Sequence, residues 1–199
     1  MRIPDYRVSL EEGQEGSWRI ETFTINSEDA RFYNNIRAKT PEDRVTVGEY
    51  TRLIQGTTTW MSDTPMEQKS HVPFITKATG QVFISGLGIG MAVAAVMKKE
   101  EVTRVDVIEK SPEVISLVAH QLKDKPGGDK LTVIEADAFH YTPPPSVRYD
   151  VGYHDIWENI CGDNWPDYVN IRAQFHYCIK KQILWRSEMV RRLHTDNSW

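Results

Sequence analysis

Cysteine is scarce. The chain of 199 residues has two, Cys161 and Cys178, in no C-x-x-C pair and with no cluster of histidines at zinc-ligand spacing around them. A reduced, intracellular setting is the simpler expectation, and no metal site is expected. Long apolar runs are missing too. No stretch approaches the length of a membrane span, and Met1-Arg2-Ile3-Pro4-Asp5 lacks the apolar core of a signal peptide, so a cytoplasmic protein with no membrane association is expected. Nor is there an excess of positive charge: 24 Lys and Arg stand against 28 Asp and Glu, for a net charge of −4. Such a balance gives no general attraction for nucleic acid or for an anionic membrane surface.

What remains is an ordinary globular composition, 40% hydrophobic and 26% charged. The length allows one domain with a full core and a small appendage. The chain divides near residue 80. Residues 1–79 read as a β-rich segment, with strands expected over Trp18–Ile25 and Val45–Trp60. Ser27-Glu28-Asp29 is placed to cap a short helix through Ile36. A lead-in helix is expected from Thr64 to Lys77, with Pro65 in its first turn and Pro73 set to kink or split it.

Residues 80–199 change to a β-α rhythm. Gln81–Ser85 is an apolar run fit for a buried strand, and Gly86-Leu87-Gly88-Ile89-Gly90 leads into a small-residue helix over Met91–Lys98. Val105–Glu109 is a second strand. Ser111 and Pro112 then offer an N-cap and an N1 residue for the next helix. Pro126-Gly127-Gly128 ends that helix before a third strand over Leu131–Ile134, and Tyr149–Tyr153 makes a fourth. Repeated β-α-β units call for an α/β, Rossmann-like fold, a parallel sheet with helices on both faces. Ile171, Phe175, Ile179 and Ile183 recur every fourth residue, predicting one long final helix from about Pro166 to Leu193. Arg172, Lys180, Lys181, Arg191 and Arg192 lie mostly off that stripe, as a solvated face.

The glycine loop carries the chemistry. Glycines permit the tight turn and let backbone N–H groups approach a ligand, and a helix N-terminus there favours a carboxylate or phosphate. Glu109 ends the next strand, where an acidic side chain can accept hydrogen bonds from both hydroxyls of a ribose. Together these features describe a nucleoside-type ligand across the C-terminal edge of the sheet. A dinucleotide fingerprint would place its third glycine at position 91, which is Met91. The G-x-G-x-G spacing instead resembles the first motif of class I S-adenosylmethionine-dependent methyltransferases. Asp137-Ala138, after the third strand, resembles the pair that contacts the adenine in such enzymes, and it also reads as an Asx turn.

From about Leu53 to Asn159 the chain is similar to one branch of that fold, the spermidine synthase-like aminopropyltransferases. Leu53-Ile54-Gln55-Gly56-Thr57 and Ser70-His71-Val72-Pro73-Phe74 resemble the family's lead-in to its glycine loop. The resemblance implies that Gln55, Gly86, Leu87, Gly88, Gly90, Glu109, Asp137 and Ala138 hold S-adenosylmethionine or its decarboxylated form. It further implies that Asp155 is the base that deprotonates an attacking amine. Asp155 and Glu158 fall where the family has two aspartates three apart. In place of the family's small catalytic-loop residues this chain has Ile156 and Trp157, which are expected to fill or reshape the acceptor pocket. Pro65 and Met66 stand where the family has an amine-binding Tyr and His. The sheet is expected to be C-terminally truncated after its fourth strand, without the family's fifth strand and terminal hairpin.

Three functions follow. The first is methyl transfer to an unidentified small-molecule acceptor. The second is aminopropyl transfer to a polyamine, with Asp155, Glu158, Asp63 and Glu67 as candidates for an acidic amine pocket. The third is a non-catalytic nucleoside-binding module that acts on a partner through its basic final helix. An N-P-P-[YF] motif for DNA amino-methylation is absent, and no nucleic-acid partner is expected. A truncated sheet edge makes a homo-oligomer an open expectation. His140 and His154, each near an aspartate, are weighed for proton transfer against ordinary loop hydrogen bonding. Trp60, Met61 and Trp157 are weighed as pocket walls against plain core.

Overall fold

Two sheets organise the computed structural model, which describes residues 4–36, 38 and 44–196; Met1, Arg2 and Ile3 of the N-terminal stretch read above lie outside them. The first sheet is antiparallel, with β1 (Gly13–Glu15), β2 (Trp18–Ile25), β3 (Gly48–Gln55) and β4 (Thr58–Ser62) in the order β1-β2-β3-β4. The strand expected over Val45–Trp60 is thus a hairpin. Its turn is made at Gly56, whose φ of 59° is a conformation glycine adopts without penalty. Between β2 and β3 runs α1 (Ser27–Ile36). Its cap is Asn26, one residue earlier than expected: the side-chain carbonyl accepts from the N–H groups of Glu28 and Asp29 at 2.8 and 2.9 Å.

The lead-in helix α2 (Pro65–Lys77) runs on through Pro73 as one element, not two. Pro73 forfeits one backbone bond, but Gln68, His71, Phe74 and Ile75 on either side of it are buried. That packing offsets the roughly 3 kcal/mol an internal proline costs.

The second sheet is parallel throughout. It consists of β5 (Gly80–Ser85), β6 (Val102–Glu109), β7 (Leu131–Glu135), β8 (Tyr149–His154) and β9 (Ile179–Leu184), in the order β7-β6-β5-β8-β9. The helices α3 (Met91–Met97), α4 (Pro112–Lys123), α5 (Trp165–Gln174) and α6 (Ser187–Asp196) alternate with these strands. Side chains of β5 point alternately to two cores, as strand geometry requires. Val82 and Ile84 face one with α2, α3 and α4, which also takes in Trp18, Ile20 and Leu53 of the first sheet. Phe83 faces the other with Ile171 and Phe175. Helices therefore cover both faces, and the fold is an α/β, Rossmann-like sheet preceded by a small antiparallel one. The cap of α4 forms as expected, Ser111 Oγ accepting from the Val114 N–H at 3.2 Å with Pro112 at the first helical position.

The single long helix is a correction. Residues 166–193 make α5, a fifth parallel strand and α6, so the sheet does not stop at four strands. A spacing of four residues is even, so Ile179 and Ile183 share one face of a strand as readily as one stripe of a helix. Around Phe175 the helix ends, and the Gln174 side-chain amide is drawn to the carbonyls of Ala138 and Tyr141 at 2.9 and 2.7 Å. The basic residues consequently share no single helix. Arg172 lies on α5, Lys180 and Lys181 on β9, and Arg191 and Arg192 on α6.

One buried charge is tied into the sheet. Asp106 on β6 is 1% exposed and accepts from the Tyr149 hydroxyl at 2.7 Å and from Arg104 at 2.7 Å. Burial and this carboxylate together hold the Tyr149 hydroxyl far above its ordinary range. Among the described residues no helix is long and apolar enough to cross a membrane, and no cluster of His, Cys, Asp and Glu is arranged to hold a metal.

Candidate functional site

In the parallel sheet β5, the first strand in the chain, lies in the middle, with β6 and β7 to one side and β8 and β9 to the other. The chain thus leaves the C-terminal ends of β5 and β8 in opposite directions. A crevice opens at that point, the place where open α/β sheets receive ligands. Gly86 follows β5 and Asp155 follows β8, and the Asp155 N–H donates to the Ser85 carbonyl at 3.0 Å. The two segments touch so closely that a Cβ on Gly86 would lie 2.2 Å from the Asp155 carbonyl oxygen. With a φ of 95°, Gly86 is also in a conformation that side-chain-bearing residues rarely adopt.

A cleft of about 190 Å³ lies over this edge. Gln55, Gly86, Gly88, Glu109, Asp137 and Ala138 all line it, and Asp155 stands at one end. Leu87 and Gly90 do not face it. Leu87 is buried and contributes its N–H to Glu109, while Gly90 turns at a φ of 70° against Leu122.

Glu109 is the hinge of the site. One carboxylate oxygen accepts from the Leu87 N–H and the other from the Ser111 N–H, each at 2.9 Å. It therefore fixes the glycine loop to the start of α4, and it is in no ion pair. A carboxylate has about four acceptor positions, so two remain for a ligand's hydroxyl groups. Asp137 closes the Asx turn weighed above, accepting from the Phe139 N–H at 2.8 Å, and presents its half-exposed carboxylate at the rim.

The loop is less open to anions than its motif suggests. Met61 of β4 lies against it: its sulfur takes the Ile89 N–H at 3.4 Å and would be 2.1 Å from a Cβ on Gly88. The N–H groups of Gly86, Leu87 and Gly90 bond to Ile108, Glu109 and Leu87 in turn. Four of the five loop amides are thus engaged inside the protein. The first sheet also supplies two aromatic walls, Trp18 and Trp60, their rings 5.3 Å apart and edge-on. Trp18 was read only as the start of a strand. Nothing local marks it as part of the cleft, because the docking of the two sheets places it there.

Beyond Asp155 the interior is acidic. Burial, reinforced by the nearby charge of Glu67, raises the Asp155 carboxyl to about 8 against the pull of the Tyr153 hydroxyl. Burial likewise raises Glu67 to about 7, opposed by the positive charge of Arg186. Of the four acids weighed for an amine pocket, these two influence each other. Asp63 is 1% exposed and committed to the N–H groups of Val8 and Thr51, and Glu158 is on the surface. Ile156 lines the cleft, whereas Trp157 stacks on Tyr168 at 3.6 Å instead of filling it.

The two histidines behave differently from each other. His154 is fully buried and bonds Ser85 and Gln182 at 2.9 and 3.2 Å; burial lowers it to about 4. It is a neutral, satisfied core residue. His140 is on the surface, 3.6 Å from Asp137. His71, quoted above only within the lead-in segment, lies 3.6 Å from Asp155.

No family model matches the chain. Over 101 residues, or 45% of its length, it is 34% identical to polyamine aminopropyltransferase 2 of Streptomyces coelicolor, and that match spans 18% of the relative. Among solved structures it is similar to the CcbJ methyltransferase of Streptomyces caelestis, with a TM-score of 0.48, 13% identity, and 58% of this chain and 50% of that one covered. It is also similar to the spermidine synthase of Thermotoga maritima, with a TM-score of 0.47, 17% identity, and 86% and 52% covered. The chain thus spans about half of these structures and under a fifth of the curated relative. The fold assignment stands on the strand order itself.

Proposed function

We propose that the chain binds S-adenosylmethionine or its decarboxylated form and transfers a group from it to a small amine acceptor. The observation that carries the reading is a single cleft at the switch point of the sheet, with Gly86, Gly88, Glu109 and Asp137 along it and Asp155 at its end. The residues fit such a ligand. Glu109 keeps acceptor positions for ribose hydroxyls, Asp137 stands at the rim for an adenine, and a side chain on Gly88 would enter the space taken by Met61. A sulfonium bound there would supply an electrophilic carbon and a thioether leaving group.

The chain's own residues would bind, orient and deprotonate. Asp155 and Glu67 form an acidic pair whose carboxyls are both raised. In the free protein Asp155 holds its proton at neutral pH, so it is a poor base until a cation arrives. An ammonium beside the pair favours the charged carboxylates and brings both acids down toward ionisation. Asp155 could then take the proton that the amine must lose before attack. The likeness to an aminopropyltransferase favours an aminopropyl group, and the unfamiliar Ile156 and Trp157 leave methyl transfer as the second reading. Calorimetry with S-adenosylmethionine, its decarboxylated form and NAD tests the proposal. One of the two sulfonium compounds binds and NAD does not; NAD binding alone would overturn the reading.

A further inference from the structure

His71 on α2 and Tyr153 on β8 meet in the interior, 82 residues apart in the chain. Both are 2% exposed. His71 Nδ1 lies 2.8 Å from the Tyr153 hydroxyl, and His71 Nε2 is buried with no hydrogen-bond partner. The Tyr153 ring is held in place by stacking on Phe74, with centroids 4.3 Å apart.

The direction of the chain of bonds follows from proton counting. Burial, with a contribution from Arg186, keeps the imidazole neutral, so it carries one proton. On Nε2 that proton would be an orphaned buried donor, which folded proteins almost never leave unpaired; a bare acceptor is tolerated more often. The proton therefore sits on Nδ1 and is donated to the Tyr153 oxygen. Tyrosine has one hydroxyl proton of its own. With its oxygen accepting from His71, that proton is free to go to Asp155, to which Tyr153 is hydrogen-bonded.

We propose that His71 and Tyr153 are positioning residues, forming a directed chain from imidazole to hydroxyl to carboxylate that orients Asp155 and favours its ionised form. The inference rests on reading Asp155 as the proton acceptor of the proposed transfer. It adds two residues that the motif did not indicate. The groups facing Asp155 pull in both directions. Glu67 on α2 and burial oppose ionisation, Tyr153 on β8 favours it, and Tyr168 on α5 has its own hydroxyl raised by burial and by Asp155. Arg186, between β9 and α6, acts on Glu67, His71 and Tyr153. Without the hydroxyl nothing among these neighbours donates to Asp155.

Carbon-13 NMR of labelled aspartate in the whole protein, with the signal assigned through Asp155→Asn, reads the effect without any ligand. Tyr153→Phe keeps the stacked ring and removes the donor. The midpoint of Asp155 rises by about one to two pH units, the worth of one hydrogen bond to a charged group. An unchanged or lowered midpoint, in a variant whose near-ultraviolet circular dichroism matches the parent, refutes the chain. Nitrogen-15 shifts of His71 in the unaltered protein give a second reading. The proton is expected on Nδ1, and finding it on Nε2 overturns the assignment even if Tyr153→Phe fails to fold. Neither experiment involves an adenosyl compound, so their failure is distinct from a failure of cofactor binding.

Discussion

Glu109→Ala separates a ligand site from a structural bracket. The substitution removes two acceptors at once, those of the Leu87 and Ser111 N–H groups at 2.9 Å. The two amides lose unequally. Ser111 begins α4 near the surface, and its N–H can turn to water. Leu87 is 4% exposed, so its N–H is left buried without a partner, at a cost of about 1–3 kcal/mol. For a domain of this size 1 kcal/mol moves Tm by about 2–4 °C, so a fall of roughly 2–12 °C is expected. Ligand affinity falls in addition. Losing hydrogen bonds from a carboxylate to ribose hydroxyls costs about 1–3 kcal/mol, or about 5- to 150-fold in Kd. Glu109→Gln keeps one amide acceptor and falls between the two proteins in both measurements. The assays are thermal unfolding and calorimetry with S-adenosylmethionine and its decarboxylated form. A lower Tm with unchanged affinity would refute the reasoning, because Glu109 would then serve the loop alone and the ligand would lie elsewhere.

Gly86→Ala forces a Cβ to 2.2 Å from the Asp155 carbonyl oxygen at a φ of 95°, and both atoms belong to fixed backbone. Unfolding titrations are expected to show a loss above about 3 kcal/mol; a loss under ~1 kcal/mol would mean that β5 and β8 are not pinned together here. Gly88→Ala meets only the flexible end of Met61. The double variant with Met61→Ala therefore recovers part of the stability lost, leaving about 1 kcal/mol for the left-handed backbone; additive losses would exclude the contact. Tyr149→Phe removes a hydroxyl donor from buried Asp106, and about 1–3 kcal/mol of stability is expected to go with it. Stability also depends on pH. The Asp155 and Glu67 carboxyls, raised to about 8 and about 7, bind protons in the folded state that the unfolded chain releases near pH 4. His71 and His154, lowered to about 4, do the opposite below pH 6.5. The two effects cancel between roughly pH 4.5 and 6.5. Above that the carboxyls alone act, and stability falls by up to ~1.4 kcal/mol per pH unit for each until its own value is passed. Asp155→Asn flattens the fall between pH 6.5 and 8 in thermal melts, and an unaltered slope would rule out a raised Asp155.

The amino-acid sequence by itself determined the features that neighbouring residues decide. The glycine turn after β5, the acid ending β6, the Ser111-Pro112 helix start and the Asx turn at Asp137 are each written within a few positions. In each case the chemistry of one residue sets the local backbone. The switch point of the parallel sheet followed from the rhythm of those elements. Tertiary structure alone decided the rest. Ile171, Phe175, Ile179 and Ile183 fit a helix and a strand equally, and only packing against β8 made residues 179–184 a fifth strand. Pro73 did not split α2, because buried neighbours outweighed its local preference. Met61 on Gly88, the aromatic wall of Trp18 and Trp60, the Glu67–Asp155 pair and the His71–Tyr153 contact all join segments distant in the chain. Burial and hydrogen bonding exist only once such segments meet, so protonation and proton direction at Asp155 are properties of the folded molecule.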